Sequence, residues 1–370
     1  MAVPTLEDLG DIAGKRALVR ADFNVPIIDG EITDDLRIRS ALPTLRHLLD
    51  AGAEVTAMSH LGRPKGEPNP KYSIEPVREH LHSLLPGITL LENLRFDPGE
   101  TSNDPEFVQK LIEGQDLYVN DAFGASHREH ASIVGPPAHL PSAAGRLLSK
   151  EVEILGGVRD NARKPFVAIM GGSKVSDKVS VIESLLPRVD RLLIGGGMSY
   201  TFFAAMGHSV GESLLQEEMI DYCKGLLEGT DKIVLPTDIS ALSPGGELFN
   251  PDAGGEVRQV GRDIPDGWNG VDIGPGTAGE YGDIIAEAQT VLWNGPVGVF
   301  EDPRFEAGTR FVAQALADSS AFTVIGGGDS AAAAKQFGLD DEIDHVSTGG
   351  GASLELLEKG DLPGLAALRG

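Results

Sequence analysis

The chain is 370 residues long, enough for two domains that each bury a core of their own. Its 56 Asp and Glu against 31 Lys and Arg leave a formal net charge of −25, a field that repels nucleic acid and anionic membrane surfaces and so argues against both as partners. A basic residue in a site loop of so acidic a chain is correspondingly informative. The basic residues divide into 12 lysines and 19 arginines, and so few lysines beside so much acid resemble the proteins of salt-loving archaea, which sets the expectation of a halophilic source. Cys223 is the single cysteine, so no intrachain disulfide can form, as suits a reducing cytosol, and the residue reads as small core rather than nucleophile. The N-terminus has no basic and apolar leader pattern, and no run approaches the ~20 apolar residues of a membrane span, so a soluble, cytoplasmic protein is expected.

In chain order, the first half alternates strand patterns at Arg16 to Ala21, Glu54 to Ser59, Ile88 to Glu92 and Asp116 to Asn120 with helix patterns at Asp35 to Asp50, Ser73 to Leu85 and Asp104 to Glu113. Gly52, Gly87 and Gly114 stand just past the helix ends. Such alternation predicts a parallel sheet covered by helices. A turn-rich passage from Gly135 to Pro141 leads into a helical pattern over Leu147 to Val158, read as a connector. The second half repeats the alternation, with strand patterns at Phe166 to Met170, Arg191 to Ile194, Lys232 to Leu235, Val291 to Trp293, Phe322 to Ile325 and His345 to Ser347. The acidic, Gly-rich passage from Ser243 to Asp272 reads as a hairpin excursion. The expected architecture is α/β: two doubly wound, Rossmann-like parallel-sheet domains joined by a connector helix, with a cleft between them. The expected boundaries are 1–145, 146–160 for the connector, 161–346, and a closing segment 347–370.

Ligands of open parallel sheets bind outside the carboxyl ends of the strands, so the loops there form the candidate site. In the first half they carry Asp22 and Asn24, then His60, Leu61, Gly62 and Arg63, then Arg95, then His127 and Arg128, with Arg37 early in the following helix. Four arginines on one rim describe a pocket for a small, highly charged anion, since the guanidinium fork pairs bidentately with carboxylate and phosphate oxygens. A surface salt bridge explains any one of them as well; the set favours the pocket. The second half instead places glycine clusters there: Gly171-Gly172-Ser173-Lys174, Gly195 to Gly197, Asn294 to Gly298, Gly326 to Ser330, and Gly349 to Gly351. Glycine turns feeding helix N-termini offer backbone donors without bulk, which suits nucleotide phosphates. Lys174 and Lys178, four apart, face one way if the segment is helical, and Asp329 offers a carboxylate for Mg²⁺.

A competing pattern is present. Gly274, Gly276 and Gly279 fit GxGxxG after the short strand-like Val271 to Ile273, with Glu301 downstream as a ribose-binding acid, which would suit a nicotinamide dehydrogenase. Pro275 stiffens that turn and a lone GxGxxG is weak. The chain contains no GxxxxGK[ST], HRD, DFG or HExxH pattern.

The assembled loops resemble the phosphoglycerate kinase family along nearly the whole chain. The matching segments are ADFNVP at Ala21 to Pro26, SHLGRP at Ser59 to Pro64, LENLRF at Leu91 to Phe96, VNDAFGASHREH at Val119 to His130, GGSKVSDK at Gly171 to Lys178, WNGPVGVFE at Trp293 to Glu301, IGGGDS at Ile325 to Ser330 and STGGGASLELL at Ser347 to Leu357. The resemblance implies ATP:3-phosphoglycerate phosphotransfer, the reversible passage of the acyl phosphoryl group of 1,3-bisphosphoglycerate to ADP. It places Asp22, Asn24, Arg37, His60, Leu61, Gly62, Arg63, Arg95 and Arg128 on the phosphoglycerate, and Lys174, Lys178, Glu301, Gly327, Gly328, Asp329 and Ser330 on the nucleotide. It further implies Arg37, Lys174 and Lys178 as the catalytic cations, Mg²⁺ carried with ATP or ADP near Asp329, and a monomer whose last residues return to the first domain. A regulator that binds Mg-ADP without turnover is the remaining alternative, against which the full set of phosphotransfer residues argues.

Overall fold

A computed structural model describes residues 3–370. They form two compact units, one of residues up to Gly156 with Gly351–Gly370, the other of Gly157–Gly350. In the first, β1 (Arg16–Arg20), β4 (Glu54–Met58), β5 (Thr89–Leu90), β6 (Leu117–Asn120) and β7 (Ser142–Ala144) make a parallel sheet ordered β5-β4-β1-β6-β7, while β2 (Ile27–Ile28) and β3 (Glu31–Ile32) pair as a small hairpin. The central strand is apolar on both faces because helices cover both: Ala17, Leu18 and Val19 are fully buried between Val55–Ala57 and Leu117–Val119. Local chemistry sets the helix ends. Asp104 precedes Pro105, and its Oδ1 accepts from the N–H groups of Glu106 and Phe107 at 2.8 and 3.0 Å, starting the helix Pro105–Ile112.

The second unit contains β8 (Phe166–Met170), β9 (Arg191–Ile194), β10 (Ile233–Val234), β14 (Thr290–Asn294), β15 (Phe322–Ile325) and β16 (His345–Val346) as a parallel sheet ordered β10-β9-β8-β14-β15-β16. The passage read as a hairpin excursion is a three-stranded antiparallel sheet of β11 (Ile239–Leu242), β12 (Val257–Val260) and β13 (Asn269–Ile273). Chain order runs outward from β8 toward β9 and β10 on one side and from β14 toward β15 and β16 on the other. The switch point therefore lies between β8 and β14, where a parallel sheet opens a crevice at its carboxyl edge.

The connector pattern is realised as the helix Arg146–Asn161, and the division between units falls within it at Gly156-Gly157. Its N-terminus rests on Asp121, whose Oδ1 accepts from the N–H groups of Leu147 and Leu148 at 2.9 and 3.2 Å. Asp121 is fully buried and its Oδ2 has no hydrogen-bond partner. Burial pushes its pKa from an ordinary 3.8 up to about 7, against the opposing pull of Thr44 and of the two N–H groups. Between those two values the folded chain binds more proton than the unfolded one. The contribution of this group is therefore complete below the unfolded value and is lost as pH rises toward 7, with a limiting slope of ~1.4 kcal/mol per pH unit. Asp121→Asn keeps an acceptor for the helix and is expected to flatten that slope. Urea unfolding at about pH 5 and about pH 8 measures it, and a slope equal to that of the parent chain contradicts the assignment.

Candidate active site

In the first unit the carboxyl ends of β1, β4, β5 and β6 bring most of the expected residues into one bonded array. Asp22 Oδ1 accepts from the Asn24 N–H at 3.2 Å, and its Oδ2 accepts from Arg37 Nη1 at 3.3 Å. Arg37 Nη1 also donates to the Asn24 carbonyl at 3.1 Å, so the helix Leu36–Asp50 presents its arginine back to the loop after β1. Asn24 Oδ1 takes the Gly62 N–H at 2.8 Å, and the Gly62 carbonyl takes Arg95 Nη1 at 2.7 Å. Gly62 sits at φ +60°, and a Cβ there would lie 2.3 Å from the Tyr72 ring, so the tight turn after β4 requires glycine.

Arg63, Lys65, Arg95, Thr101, Arg128 and His130 surround a cavity of about 320 Å³. Arg95 is only 7% exposed and its Nε has no protein partner, the arrangement of a cation held ready for an anion. Burial, followed by Arg128 and Arg20, pulls its pKa down to about 10 while Glu100 opposes them, so it remains charged at neutral pH. His60 is buried, and burial first, then Arg20, Arg95, Arg128 and His130, hold its pKa well below the usual histidine value, so the ring is neutral. Its Nδ1 lies 3.0 Å from Arg20 Nη2. Arginine can only donate, so Nδ1 accepts and the ring proton sits on Nε2.

Leu61 is 4% exposed and belongs to the core of this unit; its N–H and carbonyl are both taken by the Asn93 side chain, at 3.1 and 2.7 Å. The Asn93 side chain thereby fixes the backbone of the loop after β4. Arg20, Glu100 and His130 adjoin this array and the cavity without standing among the strand-end candidates, whereas Asn93 lies with Arg95 in the loop after β5. Arg20 carried the one available signal, a charge inside an otherwise apolar strand run.

In the second unit the loops after β8 and β14 interlock at the switch point. Gly171 N–H donates to the Asn294 carbonyl and Gly172 N–H to the Pro296 carbonyl, both at 3.0 Å, and a Cβ on Gly171 would lie 2.1 Å from the Pro296 oxygen. Gly172, Gly196 and Gly295 all have positive φ. The expected helical face of Lys174 and Lys178 is not formed, because Gly171 to Lys178 is turn and the helix begins at Val179. Lys178 is drawn inward, donating to Asn294 Oδ1, and burial lowers its pKa against the opposing pull of Asp329 and Asp177. Lys174 is exposed, as are Glu301 and Asp329.

Two helix N-termini in this unit differ in a way that decides between the nucleotide readings. At Pro275–Ala286, which follows the GxGxxG glycines, the Asp238 carboxylate already takes the N–H groups of Gly276 and Thr277, at 2.9 and 2.6 Å, and also the Thr277 hydroxyl at 2.6 Å. A pyrophosphate there would meet a carboxylate. The dehydrogenase reading is therefore set aside on the structure. At Gly328–Gln336, among the described residues no side chain caps the N-terminus, Gly328 has open space around it, and Ser330 Oγ accepts from the Gly295 N–H at 2.6 Å. That terminus can receive an anion. Leu214, 56% exposed beside Gly197, adds an apolar surface near the same turns.

The phosphoglycerate kinase family model matches residues 6–89 and 86–360. The chain belongs to the phosphoglycerate kinase family. It is 51% identical over 403 aligned positions to the phosphoglycerate kinase of Salinispora tropica, covering all of both chains. It is 49% identical to that of Rubrobacter xylanophilus, over 97% of this chain and 96% of the other. Among solved structures it matches phosphoglycerate kinase from Coxiella burnetii at a TM-score of 0.91 and 37% identity, over 100% of this chain and 99% of that one. The Pyrococcus horikoshii phosphoglycerate kinase follows at 0.83 and 32%, over 99% and 98%. The phosphotransferase activity expected from the motifs is thus that of the family. The curated relatives at about half identity are bacterial, so the archaeal source expected from the low lysine count finds no support.

Proposed function

We propose that the first unit of this phosphoglycerate kinase holds 3-phosphoglycerate or 1,3-bisphosphoglycerate, that the second holds ADP or ATP, and that the acyl phosphoryl group passes reversibly between them. The observation that carries the assignment is the arginine-lined cavity with its half-satisfied, buried Arg95, present in a chain whose net charge is −25. Arg63, Arg95, Arg128 and the neutral His60 take the triose and its resident phosphate. Arg37 is assigned to the group in transit. On the nucleotide side the open N-terminus at Gly327 to Ser330 and the turn at Gly171 to Lys178 cradle the phosphates, with Lys174 meeting the transferred group, Lys178 supporting it from within, and Glu301 assigned to the ribose.

In the ATP-consuming direction the nucleophile is a carboxylate, ionised at neutral pH, so no general base is needed. A site built of cations and backbone donors fits that requirement, since such transfers rest on positioning and on neutralising the phosphoryl charge. Among the described residues no three His, Cys, Asp or Glu side chains gather as a metal site. Mg²⁺ fits instead as a cation carried by the nucleotide phosphates, with the exposed Asp329 as the carboxylate at hand, supplying charge neutralisation when bound. Because the two ligands belong to different units, reaction includes a step that brings them together, with the helix Arg146–Asn161 as the pivot. The enzyme is read as a cytoplasmic monomer.

The test is an assay with Mg-ATP and 3-phosphoglycerate in which the acyl phosphate is trapped with hydroxylamine. Turnover that requires both substrates is expected. Tight Mg-ADP binding without turnover would favour the regulator reading.

A further inference from the structure

Behind the arginine-lined cavity lies a buried chain of polar groups that the phosphotransfer assignments leave unused. Glu100, in the short helix Gly99–Ser102, is fully buried. Its Oε1 accepts from Ser132 Oγ at 2.7 Å and its Oε2 from the Ser132 N–H at 3.0 Å. Ser132 Oγ accepts in turn from Arg20 Nε at 2.8 Å, and the same guanidinium reaches His60 Nδ1 at 3.0 Å through Nη2. The Tyr118 hydroxyl donates to the Ser132 carbonyl at 2.8 Å, closing the cluster from the β6 side. On the other flank His130 Nδ1 stands 3.6 Å from Glu100 Oε1, while the His130 ring lines the cavity.

Donor counting gives this chain one direction. An ionised carboxylate only accepts and a guanidinium only donates, so the single hydroxyl proton of Ser132 must go to Glu100, and Arg20 must donate both to Ser132 and to His60. Glu100 is thus the acceptor at which the chain ends, and the Nε2–H form of His60 is the proton arrangement at its other end. Burial alone would raise the carboxyl's pKa, yet His130, Arg20 and Ser132 together hold it below the usual range, so Glu100 is ionised at neutral pH.

We propose that Glu100 is a positioning residue for the anion pocket, acting through Ser132 and Arg20 to hold His60 as its Nε2–H tautomer and directly on His130 to hold that ring against the cavity. The proposal rests on the reading of this unit as the phosphoglycerate seat. A neutral imidazole that presents N–H is a donor to a carboxylate or phosphate oxygen; the opposite tautomer would present a lone pair to the same oxygen. Glu100→Gln keeps the size of the side chain but removes the obligatory acceptor. Its amide would donate toward a Ser132 oxygen that already accepts from Arg20, so the guanidinium loses its anchor at Ser132 and with it the placement of Nη2 on His60 Nδ1 that fixes the tautomer.

Proton–nitrogen correlation spectra of the histidine rings, recorded on the full-length enzyme, read the tautomer, and steady-state kinetics read the consequence. In E100Q the His60 signals are expected to move from a pure Nε2–H pattern to a tautomer mixture. KM for 3-phosphoglycerate is expected to rise ~10–100-fold, the scale of a hydrogen bond to a charged group, with KM for Mg-ATP within about threefold of the parent. Glu100→Asp should recover part of the tautomer signal and part of the affinity. Ser132→Ala cuts the route to Arg20 while leaving Glu100 beside His130, and should show the same loss of tautomer with a smaller rise in KM. Parent-like His60 spectra and parent-like KM in E100Q and S132A overturn the proposal; should E100Q not fold, S132A decides by the same two readouts. Arg63→Ala in the same assay keeps the two levels separate. An unchanged KM there removes the pocket assignment, whereas a raised KM there with unchanged E100Q and S132A removes only the role of Glu100.

Discussion

Arg37→Ala is expected to lower kcat by ~10²–10³-fold, the scale of losing a preorganised donor to a charge that develops in the transition state, while KM for Mg-ATP stays within about threefold. The geometry is that of an arginine on standby. Its recorded bonds, to Asp22 Oδ2 and the Asn24 carbonyl, both involve Nη1, at 3.3 and 3.1 Å. Asp22 is 8% exposed, so the pair orients the arginine without saturating it. Truncation does two things at once: on the proposed assignment it removes a cation from the transferred group, and it leaves the Asp22 carboxylate without its cation, with only the Asn24 N–H as partner. Asp22→Asn separates them. If the loss in Arg37→Ala comes mainly from the stranded carboxylate, the double variant regains most of the rate; if it comes from the missing cation, the double variant stays slow. The second outcome is expected. Arg37→Lys should recover only part of the activity, because an ammonium restores charge but not the planar fork. An unchanged kcat in Arg37→Ala would remove this residue from the transferring group.

The sheets were the most legible part of the chain, because parallel strands covered on both faces are apolar without interruption, as in Phe166 to Met170 and Val291 to Trp293. The strand Ser142–Ala144 was not legible. It is three small residues after a proline, without a β-branched side chain, and it is a strand only because it pairs in register with Tyr118, Val119 and Asn120. The arginines that line the cavity of the first unit, Arg63, Arg95 and Arg128, could be read because they sit just past strand ends. What stands behind the rim could not. Arg20 looks like one more position of a buried strand, and its partners His60 and Ser132 are 40 and 112 residues away in sequence. Two local spacings are not realised as sites, for physical reasons. Lys174 and Lys178 are four apart, but the segment that carries them is irregular until the helix starts at Val179, so the spacing gives them no common helical face. The GxGxxG glycines do open a helix, but the donors they expose are filled by Asp238, 38 residues from Gly276. A local pattern carries no trace of a competitor that folding brings in from elsewhere.

The difference between the two lysines makes Lys174→Ala the sharper test on the nucleotide side. Lys178 is tied to Asn294 and partly withdrawn from solvent, so its removal disturbs the interlocked turns after β8 and β14 as well as the local charge. Lys174 is exposed on the same turn, and its loss leaves the Gly171 and Gly172 bonds to Asn294 and Pro296 in place. Lys174→Ala is therefore expected to melt within a few degrees of the parent while kcat falls by ~10²-fold, the cost of one charge-stabilising donor in a preorganised site. The split between kcat and KM locates the contact. A lysine that grips nucleotide phosphates equally in ground and transition states raises KM for Mg-ATP and spares kcat, whereas one that meets the phosphoryl group only in transit lowers kcat and spares KM. The second pattern is expected, because the open helix terminus at Gly327 to Ser330 already offers the resting phosphates backbone donors. Near-normal turnover in Lys174→Ala would pass the transferring role to Lys178, and the turn would then act through the lysine it buries rather than the one it exposes.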